Sequence, residues 1–98
     1  MKIAFDVDGT LIHLTDDMPR RDVVDMLITL STNGNEITVW SGGGKDYARV
    51  WVKRLFLDRY VTHIMEKPMH AAREGISTGI DVCFDDETVE LATVNIKL

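Results

Sequence analysis

Short apolar runs alternate with longer stretches of helical periodicity along the 98 residues of the chain. Lys2 to Phe5 is nearly continuous in apolar side chains, the pattern of a central parallel strand covered on both faces. Polar residues from His13 to Asp17 predict a loop or short hairpin, and Pro19 stands where a helix can begin. Arg20 to Leu30 carries Val23, Val24, Leu27, Ile28 and Leu30 at helical spacing opposite a polar face. Asn33-Gly34 ends that helix, because both residues tolerate the left-handed conformation. A second strand is expected over Glu36 to Trp40, then a tight turn at Ser41-Gly-Gly-Gly44. The next helix is predicted from about Asp46 to Leu57, with Tyr47, Val50, Trp51, Leu55 and Phe56 facing inward. Val61 to Met65 reads as a third, short strand, and Met69 to Glu74 as a brief helix between Pro68 and Gly75. Ile80 to Phe84 is a fourth strand, Glu87 to Leu91 a helical turn and Thr93 to Leu98 a fifth strand.

This alternation predicts one α/β domain over residues 1–98: a three-layer, doubly wound, Rossmann-like sandwich around a mostly parallel five-stranded sheet. Composition narrows the class without naming a function. Hydrophobic residues at 45% and charged residues at 28% are ordinary for a globular protein and exclude a disordered or collagen-like chain. No apolar run approaches the roughly 18 residues a membrane helix needs, so no membrane partner is expected. The single cysteine, Cys83, has no partner for an internal disulfide, which fits a reducing cytoplasm; its apolar neighbours mark it as core. A net charge of −5 disfavours broad, sequence-blind nucleic-acid binding. His13, His63 and His70 have no metal-ligand spacing.

Candidate chemistry lies where open parallel sheets bind ligands, outside the carboxyl ends of the strands. The first strand delivers Asp6 and Asp8 there, the second Ser41, the region after the third Lys67, and the fourth Asp85 and Asp86. Four clustered carboxylates repel one another unless a cation sits among them. Hard oxygen donors of this kind suit Mg²⁺ together with a substrate phosphate.

The string Asp6-Val7-Asp8-Gly9-Thr10-Leu11 resembles the first motif of the haloacid dehalogenase superfamily, DxDGT followed by an apolar residue. Ser41 after an apolar strand looks like the second motif, Lys67 the third, and Asp85-Asp86 after Val82-Cys83-Phe84 the fourth. The resemblance spans residues 1 to about 92 and implies a Mg²⁺-dependent phosphatase. It implies that Asp6 is the nucleophile forming an aspartyl phosphate and that Asp8 is the general acid and base. Gly9 gives the bend that turns Asp8 back toward the site. The implied metal set is Asp6, Asp8 through its backbone carbonyl, Asp85 and Asp86, the last direct or through water. Ser41, Gly42 and Lys67 would receive the substrate phosphate, with Lys67 also neutralising the nucleophile.

Many members of that superfamily insert a cap domain, and none fits here. Only His13 to Met18 separates the first motif from the first helix. The expected site is therefore open to small or large phosphorylated substrates, or roofed by a second subunit in a homo-oligomer. Lys45, Arg49 and Lys53 form a basic stripe near the site, with Arg54 beside it. That stripe keeps a nucleic-acid end, and so a 3′-phosphatase activity, as an alternative to hydrolysis of small phosphate monoesters. A non-catalytic phosphate-binding or phospho-accepting module is the other alternative. Receiver domains, however, carry their phosphorylated Asp after the third strand, where this chain has Met65-Glu66-Lys67. Dehalogenation fits less well than phosphate chemistry with a Mg²⁺ site built from so many carboxylates.

Overall fold

The computed structural model describes residues 1–98. Five strands form one all-parallel sheet: β1 (Lys2–Asp6), β2 (Glu36–Ser41), β3 (His63–Glu66), β4 (Val82–Asp85) and β5 (Val94–Lys97). Three helices connect them: α1 (Arg21–Thr32), α2 (Lys45–Arg54) and α3 (Met69–Glu74). The spatial order is β3-β2-β1-β4-β5. The chain steps outward from β1 to β3, then returns across β1 to place β4 on its other side. The winding reverses between β1 and β4, the position where sheets of this type open a crevice at their carboxyl ends.

Strand alternation divides the side chains between two unequal layers. Ile3, Phe5, Ile37 and Val39 face α1 and α2 and belong to one cluster of 16 buried residues. Phe5 and Phe84, paired in register, stack with ring centroids 4.9 Å apart. The opposite face holds a cluster of only four, Ala4, Trp40, Cys83 and Leu91. The six-residue α3 and the segment before β5 cover it, so this layer is far thinner than the doubly wound expectation of helices on both faces. Cys83 lies there as inert core, its thiol pushed up to about 11 by burial and by the nearby Asp85 charge. Edge strand β5 is exposed along its length, with Val94 and Ile96 open to solvent.

Three expectations about local structure change. The helix after the glycine turn buries Ala48, Trp51, Val52 and Leu55, an i, i+3, i+4, i+7 stripe, while Tyr47, Val50 and Phe56 are exposed. The inward set is rotated toward smaller side chains than the large apolar residues suggest. The helix also ends at Arg54, because Phe56 turns left-handed with φ 56°. No helical turn forms over Glu87 to Leu91. Its backbone donors are claimed by side chains instead: Glu87 N–H donates to Asp85 Oδ1, and the Leu91 and Ala92 N–H groups donate to Asn95 Oδ1. Between β1 and α1, Leu11 to Arg20 does form a small hairpin, closed by Arg20 N–H to the Leu11 carbonyl and His13 N–H to the Met18 carbonyl, both 2.8 Å. No helix is long and apolar enough to cross a membrane.

Candidate functional site

β1 ends in Asp6 and immediately breaks its extended conformation. The N–H groups of Thr10, Leu11 and Ile12 all converge on the Val7 carbonyl at 3.0–3.2 Å, wrapping residues 7–12 into a tight loop. Gly9 makes that loop sterically feasible for two reasons. Its φ is +77°, and a Cβ there would collide with the Asp86 carboxylate. Arg20 locks the same loop from outside, donating to the Gly9 carbonyl at 3.1 Å. Asp6 is thereby fixed and almost fully buried, while Asp8 is carried to the rim of the crevice.

Asp6 faces Asp85 across the β1/β4 reversal, and both meet Lys67, which arrives from the loop after β3. Lys67 Nζ is 3.2 Å from Asp6 Oδ1 and 2.9 Å from Asp85 Oδ2, with all three side chains 9% exposed or less. The backbone of Lys67 is anchored as well, its N–H donating to the Ser41 carbonyl at 2.9 Å. Ser41 ends β2 and is 2% exposed. Its Oγ accepts from the Gly43 N–H at 3.0 Å, which leaves the hydroxyl proton free to donate into the crevice. Ser41 does not cap α2, whose N-cap is Gly44 with no side-chain bond.

Carboxylate oxygens of Asp6, Asp85 and Asp86 lie within 4.8 Å of one another. The charge imbalance shows in their titration. Burial and the Asp85 charge raise Asp6 to about 7, against the pull of Lys67. Asp86 is likewise raised, chiefly by burial. Burial works against the charge on Lys67, yet the Asp85 hydrogen bond and the two neighbouring carboxylates outweigh it and hold the ammonium protonated. One lysine thus compensates three acids incompletely. An all-oxygen donor set with uncompensated negative charge fits a hard divalent cation such as Mg²⁺. The Asp8 carboxylate is not in this trio. Its Oδ1 accepts from the Tyr47 hydroxyl at 2.7 Å, away from the three clustered carboxylates.

Asp6, Asp8, Ser41, Gly42, Gly43, Lys67, Met69, Asp86, Glu87 and Leu14 line one open groove of about 420 Å³. Asp85 lies beneath it, fully buried. The basic stripe is not part of this lining. Lys45, Arg49 and Lys53 are exposed on α2, where Arg49 pairs with Asp46 at 3.1 Å, and Arg54 lies over the Trp51 ring at 5.0 Å. His63 pairs with Glu36 at 2.9 Å, at the opposite ends of β3 and β2 from the groove. Two contributors escape sequence reading, Arg20 and Tyr47. The signal for Tyr47 is its place in the first turn of a helix that starts beside a strand's carboxyl end. Comparisons of the chain with protein-family models, curated proteins and solved structures find no match.

Proposed function

We propose that this chain is a Mg²⁺-dependent phosphate monoester hydrolase of the haloacid dehalogenase type, without a cap. The observation that carries the reading is the meeting of Asp6, Asp85 and Lys67 at the β1/β4 reversal. Asp86 completes an acidic trio beside an open groove that also presents Asp8 and the Ser41 hydroxyl. Asp6, Asp85 and Asp86 would hold the metal, which when bound supplies positive charge to neutralise the nucleophile and a phosphate oxygen.

The remaining chemistry belongs to the side chains. An Asp6 oxygen bonds to phosphorus as the bond to the ester oxygen breaks, and Asp8 gives that oxygen its proton so that an alcohol leaves. Water then bonds to phosphorus and loses a proton to Asp8, and the Asp6–phosphorus bond breaks with its electron pair returning to the carboxylate. Lys67 and the Ser41 hydroxyl hold the transferring group by charge and hydrogen bond. The groove has no roof, so the phosphate can be carried by a small molecule or a macromolecule. The test is phosphate release from 4-nitrophenyl phosphate with Mg²⁺, expected for the wild type and absent in Asp6→Asn and in EDTA. Turnover that survives Asp6→Asn would overturn the reading.

A further inference from the structure

Tyr47 occupies the first turn of α2, which starts just beyond the carboxyl end of β2. Its hydroxyl crosses to the loop after β1 and donates to Asp8 Oδ1 at 2.7 Å, the sole hydrogen bond made by the Asp8 side chain. Both ends of this contact are held by the core. The Asp8 loop is wrapped on the Val7 carbonyl and clamped by Arg20, and α2 is seated by Ala48, Trp51 and Val52. The Tyr47 ring leans over Gly43, where an added Cβ would lie 3.3 Å from Tyr47 Cδ2. The contact thus joins two separately anchored segments 39 residues apart in the chain.

We propose that Tyr47 is a positioning residue for proton transfer by Asp8: it pins Oδ1 and presents Oδ2 to the oxygen that leaves phosphorus. This inference rests on the phosphatase reading above. Tyr47 keeps its own proton throughout, its hydroxyl serving only as the donor to Asp8 Oδ1. The consequence is selective. A nitrophenolate departs with little help, whereas the oxygen of phenyl phosphate or an alkyl phosphate departs only with a well-aimed proton.

The experiment compares wild type and Tyr47→Phe on 4-nitrophenyl phosphate and phenyl phosphate, with and without Asp8→Asn. The loss of kcat/KM, which reports departure of the ester oxygen and not the later hydrolysis shared by both substrates, is expected to be about tenfold greater on phenyl phosphate than on 4-nitrophenyl phosphate, the worth of one hydrogen bond to a charged group. The extra loss is expected to vanish in the Asp8→Asn background. An equal loss on both substrates, or one that persists with Asp8→Asn, would overturn the assignment. A readout independent of turnover is the ¹³Cζ signal of tyrosine-labelled protein, which holds only Tyr47 and Tyr60. Asp8→Asn is expected to move the Tyr47 signal and leave that of Tyr60 in place. If neither moves, the positioning contact is overturned even where the enzyme is active. A wild type inert on both esters removes the phosphatase reading and, with it, this role.

Discussion

The Lys67 ammonium stands 2.9 Å from Asp85 Oδ2, and Asp85 is fully buried. Asp85 spends its other oxygen on the Glu87 N–H, so the pair also fixes the chain just after β4. Removing the cation leaves two buried carboxylates facing each other. Lys67→Met in the metal-free protein is expected to lower stability by about 3–5 kcal/mol, the range for breaking one side of a buried pair. Urea denaturation measures this, and added Mg²⁺ is expected to recover part of the loss. A variant as stable as wild type without metal would show that the Lys67–Asp85 contact contributes nothing to folding.

Asp6 makes a prediction about pH. Its folded value is about 7 and its unfolded value is close to 3.8, so the folded state holds the proton more tightly. Such a group stabilises the fold fully below its unfolded value and loses that contribution as pH rises to its folded one. Metal-free protein is therefore expected to lose stability between about pH 4 and 7. The Asp6 share is on the order of 2–4 kcal/mol and is absent in Asp6→Asn. Denaturant titrations of both proteins across that range measure it, and parallel curves would contradict it. Mg²⁺ competes with the proton, so its affinity is expected to rise over the same interval.

Gly9→Ala tests the loop after β1. The new methyl meets the Asp86 carboxylate, and alanine disfavours φ +77°. A loss of about 2 kcal/mol or more is expected, together with weakened Mg²⁺ binding as Asp86 is displaced. Calorimetry with Mg²⁺ measures the second effect directly. Unchanged binding would mean that Asp6 and Asp85 hold the ion without Asp86.

The parts of the fold legible in the sequence are those where burial is two-sided. β1, β2 and β4 are dense in apolar residues, and their carboxyl ends locate Asp6, Ser41 and Asp85 without any structure. Lys67 is placed by the same logic, since a loop after β3 must pass the same edge of the sheet. Legibility fails where one residue has to choose between packing and polar bonding. Tyr47 looks like a core residue by size, yet the core selects Ala48 and Val52 and leaves the phenol to reach Asp8. Glu87 to Leu91 looks helical by composition, yet Asp85 and Asn95 intercept its N–H groups. Those interceptions depend on strand register, which no local pattern encodes.

Phe56 is the clearest misfit between residue and backbone. It occupies the position after the α2 C-cap Leu55, with φ 56°, and is 85% exposed. Its N–H donates to the Lys53 carbonyl at 3.1 Å and the Leu57 N–H to the Val52 carbonyl at 2.9 Å, the paired bonds of a helix end that usually places glycine here. The ring buries almost nothing, so its removal forfeits little, and a left-handed non-glycine residue costs about 1–2 kcal/mol. Glycine also gains freedom in the unfolded chain, which offsets part of that relief. Phe56→Gly is accordingly expected to raise stability by about 0.5–1 kcal/mol. In a chain this size that corresponds to a rise in Tm of a few degrees. Thermal denaturation of the two proteins decides it. A fall in Tm would mean that the freedom glycine gains in the unfolded chain outweighs the relief of the left-handed backbone, and a drop that appears only at high protein concentration would place a contact of the ring on a second copy.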